Sequence, residues 1–147
     1  MPVHAVARNP FAVALRVQYP DPRCHSRPRQ RAGRRYGTAA FWIVAGSMHF
    51  LRPRFYEEIV PPPLDRYKHE VVVASGVAEL VGGVAALPTA TRRLARMWLL
   101  ATLLAVYPAN IYMAVRPERF ARIPRTLLWA RLPVQGLFAW ITWRGTE

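Results

Sequence analysis

The chain has 147 residues, of which 52% are hydrophobic and 20% are charged, and its formal net charge at pH 7 is +13. This length fits one domain, and the single cysteine, Cys24, excludes an internal disulfide. The positive charge alone would suit a nucleic-acid-binding protein, but the basic residues form no RNP, helix-turn-helix or zinc-finger pattern. They fall between apolar runs, as membrane topology requires, and we expect no nucleic-acid partner.

The amino-terminal stretch, residues 1–33, is rich in arginine and contains one acidic residue, Asp21. Its prolines, Pro20, Pro22 and Pro28, oppose a stable helix. No small-residue cleavage site follows its apolar patch, so it does not have the form of a signal peptide. The sequence predicts either a disordered tail or residues that precede the true start codon.

Four apolar segments follow and predict an all-α, four-transmembrane-helix bundle over residues 34–145. A water-exposed bundle would show polar helix faces with repeated Glu and Lys, which these segments lack. The prediction is a multi-pass protein of the bacterial cytoplasmic (inner) membrane, with the lipid bilayer as its partner. The four predicted spans are Tyr36–Leu51, Glu70–Leu87, Leu94–Val115 and Thr126–Trp143.

The distribution of Lys and Arg predicts the orientation of these spans. The amino-terminal tail, the loop around Arg92 and Arg93, and Arg144 lie on one side and carry the larger share of the basic residues. Cytoplasmic loops carry an excess of Lys and Arg, so both termini are expected in the cytoplasm.

A short amphipathic helix is predicted between the first two spans, within residues 53–64. Phe55, Tyr56, Ile59 and Val60 lie at helical spacing and alternate with acidic residues. Two interpretations stay open: the helix covers the polar residues described next, or it is only an interfacial anchor.

Polar residues occur at similar depths in the four apolar segments. Glu79 lies within the apolar run 71–87, and Ser75 precedes it by one helical turn on the same small-residue face. Ionisable groups in such segments are costly and mark sites. We therefore predict one polar layer of ligand-binding residues, formed by His49, Ser75, Glu79, Asn110, Arg131 and Gln135.

Charge balance predicts that Glu79 pairs with Arg131, since each would be expensive alone. Pro108 and Pro133 should each free the carbonyl four residues earlier, at Leu104 and Trp129, beside this layer. Three roles stay open for the layer: locking the helices together, binding a small polar molecule or quinone headgroup, or carrying protons.

Catalytic residues cannot be assigned from the sequence. It contains no nucleotide-binding loop and no Ser-His-Asp order. His49 is the only histidine within a predicted span, which excludes bis-His haem ligation there, and we expect no metal site. No cofactor is evident, although a quinone remains open.

Five segments resemble the DoxX-like family of small bacterial membrane proteins. They are AGSMHF at 45–50, PRFYEEIVPPPL at 53–64, SGVAELVGG at 75–83, YPANIYMA at 107–114 and RLPVQG at 131–136. The resemblance implies four transmembrane helices. It also implies a role as a subunit of a membrane oxidoreductase, such as a thiosulfate:quinone oxidoreductase, or as a partner in a redox complex.

The leading functional hypothesis is a redox-associated membrane subunit with a pocket for a quinone-like or small polar ligand. The main alternative is a non-enzymatic scaffold or interaction subunit, and a weaker one is a transporter of small solutes or protons. A redox partner subunit and a homo-oligomer are the protein partners considered.

Overall fold

The structure is a computed structural model that describes residues 26–147, with side chains from residue 32 onward. Over these residues the protein is all-helical. Two 3₁₀ helices, Pro62–Tyr67 and Pro117–Phe120, lie in the connections between the α-helices. The five α-helices are α1 (Ser26–Leu51), α2 (Pro53–Glu58), α3 (Lys68–Ala85), α4 (Arg92–Val115) and α5 (Arg125–Gly145).

Helix α1 begins at Ser26, ten residues before the predicted start at Tyr36. Arg, Gln and Ala favour helix between Ser26 and Gly33, and Pro28 falls in the first turn, where a missing N–H costs nothing. Part of the predicted tail is therefore helical. Residues 1–25 lie outside the described residues, and the expected disorder there stays a prediction.

The predicted bundle of four transmembrane helices is wrong. Of the described helices, only α4 is long and apolar enough to cross a membrane. Helix α1 carries a cluster of arginines, α3 begins with Lys68, His69 and Glu70, and α5 contains Arg131. The multi-pass location and the derived orientation therefore lose their basis.

The four long helices form a closed ring in the order α1, α3, α4, α5. Each packs against the next, and α5 returns to α1. The connections are short, with six residues between α3 and α4 and nine between α4 and α5. Short connections favour antiparallel neighbours. Helix α2 and the 3₁₀ helix after it pack on α3 at one end of this ring.

The closest helix contact joins α1 to α3 through glycines. A methyl group added at Gly46 would lie 2.8 Å from the backbone oxygen of Gly76, and one added at Gly76 would lie 2.8 Å from Cβ of His49. Only glycine allows the backbones to approach this closely. This contact brings His49 on α1 next to Glu79, which lies one turn beyond Gly76 on α3.

Two clusters of buried apolar residues pack between the helices of the ring. Trp42, Leu99 and Leu103 form the inner cluster, which α1 and α4 share. At the end covered by α2, the outer cluster is formed by Ile59, Met113, Phe120 and Leu128. Trp42, Leu103 and Ile59 also line a cavity between the two clusters.

Candidate functional site

A cavity of about 460 Å³ lies inside the helix ring. This volume falls within the range of small-molecule pockets in proteins. Most of its wall is apolar, and α1, α3, α4 and α5 all contribute to it. Every residue of the predicted polar layer lines this one cavity: His49, Ser75, Glu79, Asn110, Arg131 and Gln135. Whether they bind a ligand remains a prediction.

Glu79 has a buried polar atom in this wall that contacts with the described residues leave unsatisfied. Its side chain is 9% exposed, and its Oε2 is buried without a hydrogen-bond partner among the described residues. Burial raises the pKa of Glu79 to about 7, because an ionised carboxylate loses its hydration there. An unsatisfied buried carboxyl oxygen at a cavity wall is typical of a binding site rather than of a structural contact.

His49 is the nearest titratable neighbour of Glu79, with Nδ1 3.7 Å from Oε2. This separation is too long for a hydrogen bond. Nδ1 instead donates to the carbonyl oxygen of Ala45 at 3.1 Å, one turn earlier on α1. Burial lowers the pKa of His49, and the Ala45 hydrogen bond opposes this shift without overcoming it. The ring is therefore neutral at pH 7, and Nε2 is left as an acceptor.

The predicted ion pair between Glu79 and Arg131 is not formed, since the two side chains do not approach within 4.0 Å. The Arg131 guanidinium lies 5.9 Å from the ring centroid of Phe55, in the range of a cation–π contact. Phe55 belongs to α2, so Arg131 is drawn toward the covered end of the cavity. The prediction used only the depth of each residue along its helix, which does not determine whether two side chains on different helices meet.

Asn110 and Gln135 form a hydrogen-bonded lock between α4 and α5. Asn110 Nδ2 donates to Gln135 Oε1 at 2.8 Å, and Gln135 Nε2 donates to the carbonyl oxygen of Leu103 at 2.7 Å. Gln135 thus uses the carbonyl of Leu103, and a free carbonyl at Leu104 stays a prediction. Pro108, which lies in the same region of α4, has no N–H to donate to the carbonyl oxygen of Leu104.

Ser75 is also satisfied locally, because its Oγ donates to the carbonyl oxygen of Val72 at 3.0 Å in the same helix. The six predicted residues thus divide by role. Asn110, Gln135 and Ser75 are engaged with the protein, whereas Glu79, His49 and Arg131 keep hydrogen-bonding groups for another partner.

Replacing Gln135 with Leu is expected to lower the free energy of unfolding by ~1–3 kcal/mol, because it strands buried groups on α4. Asn110→Leu should cost a similar amount. The double variant should lose less than the sum, with a coupling of ~0.5–3 kcal/mol, since the two side chains share one hydrogen bond. Chemical denaturation measures all three. Ser75→Ala, which removes a bond within one helix, is the control, and strictly additive losses would contradict the lock.

Sequence reasoning did not assign Tyr56 to the site. Its ring stacks on His49 with centroids 3.9 Å apart and planes 25° apart. Burial raises the pKa of Tyr56, the charge of Glu79 raises it further, and Arg131 lowers it, so all three groups act on one another. Helical spacing in residues 55–60 was the available signal. It predicted an apolar face there but did not show that Tyr56 reaches His49.

The segment after α1 lies over one end of the cavity. Ile59, Val60, Pro61 and Leu64 line it together with Tyr56. Glu57 accepts a hydrogen bond from His69 Nδ1 at 2.9 Å, which ties α2 to the start of α3. Among the side chains that the structure describes, no three His, Cys, Asp or Glu residues gather as metal ligands.

Over the described residues, the fold and the cavity define an all-helical protein with a ligand-sized pocket whose wall holds a carboxyl oxygen without a hydrogen-bond partner. Residues 38–146 match the family described as "Domain of unknown function (DUF8561)". The match covers well over half of the chain, which therefore belongs to that family.

The resemblance to the DoxX-like family is wrong, because the family that matches these residues is a different one. Three of the five short segments on which it rested, 45–50, 75–83 and 107–114, contain two or more Gly or Ala residues, and such small residues recur where helices pack closely. No protein of curated function matches the chain. No solved structure matches it either.

Proposed function

We propose that this protein binds a small, planar and largely apolar molecule in the cavity, with a quinone-like headgroup as the representative ligand. The observation that carries the proposal is the buried Oε2 of Glu79, which has no partner within the described protein. A well-formed apolar pocket with a few convergent polar groups and a perturbed carboxyl is the arrangement expected of a binding site.

The cavity wall supports a planar ligand. Phe41, Trp42, Tyr56 and Phe138 supply aromatic surfaces around it. Such rings favour offset stacking or edge contacts with another conjugated ring. Glu79 and Arg131 are separate polar groups in the same wall, so a ligand with polar atoms at two of its edges would engage both.

We also propose that the protein associates with a lipid bilayer. Only 22% of the apolar stretch of α4 is buried, unlike that of a covered core helix. Many large apolar side chains on α4 and α5 are exposed, and such patches mark interaction surfaces. They include Leu94, Met97, Trp98, Leu104, Leu127, Trp129, Leu137, Trp140 and Trp143.

A scaffold or interaction subunit is the second candidate function. The lock between Asn110 and Gln135 favours it, because these two residues of the cavity wall already serve helix packing. A scaffold whose cavity is only a packing gap should bind no ligand. The same exposed apolar side chains would then be covered by a redox partner subunit or by a second copy of the chain.

Blocking the cavity is the direct test. Ala109 lines it, and Ala109→Trp is expected to abolish binding of 2,3-dimethyl-1,4-naphthoquinone, measured by calorimetry on the detergent-purified full chain. Ala101→Trp is the matched control, because Ala101 lies on the exposed side of the same helix. Its affinity should equal that of the wild type.

Equal affinities in all three proteins would show that the quinone binds outside the cavity. A wild-type protein that binds no quinone would favour the scaffold. Thermal unfolding of each variant confirms that it is folded.

A further inference from the structure

We propose that the ligand presents an uncharged hydrogen-bond acceptor, such as a carbonyl oxygen, to Glu79, and that Glu79 binds it as the protonated acid. Ligand binding then takes up a proton from solvent. This inference rests on the proposed function and specifies the ligand chemistry of the same cavity.

Among the residues that the structure describes, none donates a hydrogen bond to the buried Oε2 of Glu79. The Nδ1 proton of His49 is committed to Ala45, and its distance to Oε2 is 3.7 Å. Arg131, the other basic group of the wall, does not come within 4.0 Å of the carboxyl. An ionised, unpaired carboxylate in this position is costly, whereas the neutral acid needs only an acceptor for its O–H.

The titratable groups that face Glu79 come from three other elements. They are His49 on α1, Tyr56 on α2 and Arg131 on α5, while α4 contributes no titratable side chain to the cavity wall. Burial moves the pKa of His49 down, so His49 is uncharged near pH 7, and it moves the pKa of Glu79 up to about 7, so about half of the Glu79 carboxyls are protonated at that pH. Neither neighbour holds Glu79 in its ionised form.

The positive charge of Arg131 disfavours a cationic ligand. A cation that reached Glu79 would share the cavity with this guanidinium, and the described part of the wall holds no second acidic group. A neutral acceptor avoids that repulsion. A second polar edge of the same ligand would then accept from the Arg131 guanidinium.

The affinity for the ligand should depend on pH, because only the protein with protonated Glu79 binds it. Because the pKa of Glu79 is about 7, the free protein is competent below pH 7 and loses competence above it. Apparent affinity scales with the competent fraction, so the Kd should rise about tenfold between pH 6 and pH 8.

The test measures the Kd of 2,3-dimethyl-1,4-naphthoquinone by calorimetry on the full chain at pH 6, 7 and 8. Wild type should show the tenfold weakening, and at pH 7 it should take up about half a proton per ligand, read from buffers of different ionisation enthalpy. Glu79→Gln has an N–H donor that does not titrate, so the Kd of this variant should vary by less than about twofold between pH 6 and pH 8.

Two further arms complete the experiment. Glu70→Gln, on the exposed first turn of α3, should reproduce the wild-type pH dependence. The probe 1-naphthylmethylammonium has a similar ring and a positive charge, and it should bind more weakly than the quinone at every pH.

Quinone binding with a pH-independent Kd in the wild type would overturn the inference while leaving the proposed function intact. So would an ammonium probe that binds more tightly as the pH rises through 7, because Glu79 would then act as a carboxylate. Absence of quinone binding at every pH would overturn the proposed function, and the inference with it.

Discussion

Replacing Glu79 with Leu is expected to stabilise the protein by about 3 kcal/mol at pH 8, because one pKa unit is worth about 1.4 kcal/mol. The pKa of this carboxyl rises from 4.5 to about 7 on folding. Between these values the unfolded chain has lost the proton and the folded chain keeps it. Stability therefore falls as the pH rises from 4.5 to 7, and it stays low above that range.

Urea or guanidinium unfolding of wild type and Glu79→Leu at pH 4 and pH 8 measures this effect. The stability difference between the two proteins should be larger at pH 8 by about 3 kcal/mol, since at pH 4 the carboxyl is protonated in both states. Glu70→Leu on the same helix is the control and should show no such pH dependence. A Glu79→Leu variant that is less stable at pH 8 would mean that the carboxylate has a partner.

If replacing the Glu79 carboxyl stabilises the protein, this result also bears on function. Residues that lower stability in a buried position are retained where activity requires them. The same substitution should remove quinone binding, because Leu has no hydrogen-bonding group. A Glu79→Leu variant that is more stable and binds no quinone would show that Glu79 serves binding, unlike Asn110 and Gln135, which stabilise the fold.

Trp42→Ala is expected to lower the free energy of unfolding by ~3–5 kcal/mol, which is the usual cost of truncating a large buried aromatic side chain. Trp42 is 2% exposed and packs against Leu99 and Leu103 in the inner cluster. Its Nε1 donates to Oγ1 of Thr142 at 2.9 Å, which ties α1 to α5.

Two variants bracket this prediction in the same denaturation experiment. Trp42→Phe keeps an aromatic ring but loses the hydrogen bond to Thr142. The lost hydrogen bond should lower the free energy of unfolding by ~1 kcal/mol, in addition to the effect of the smaller ring. Trp140→Ala removes a tryptophan that is 60% exposed and should change stability by less than ~0.5 kcal/mol. Equal losses for Trp42→Ala and Trp140→Ala would contradict the inner cluster.

The helical segments were largely readable from the sequence. The predicted spans from Tyr36 to Trp143 overlap α1, α3, α4 and α5, because apolar runs bounded by Pro, Gly and Arg mark helix ends wherever the helices pack. Their transmembrane character was not readable in the same way. Length and apolar content are shared by membrane spans and packed bundle helices, and only α4 has enough of both.

The residues that line the cavity could be predicted from the sequence, but the contacts between them could not. Spacing along each helix indicated which polar side chains share a face, and the six predicted residues line one cavity. Pairing between helices depends on rotation and on side-chain direction, which spacing does not contain. For this reason the ion pair of Glu79 with Arg131 was predicted wrongly, and the stacking of Tyr56 on His49 was not foreseen.

The sequence by itself determined the helical segments and the position of the Glu79 carboxyl within an apolar one. Helix periodicity and the cost of burying charge are local properties of the residues. The tertiary structure decided everything that depends on distance between helices. Close approach at Gly46 and Gly76 brings His49 to 3.7 Å from Glu79. The Arg131 guanidinium lies near the Phe55 ring instead, and Oε2 of Glu79 lies at the cavity without a hydrogen-bond partner among the described residues.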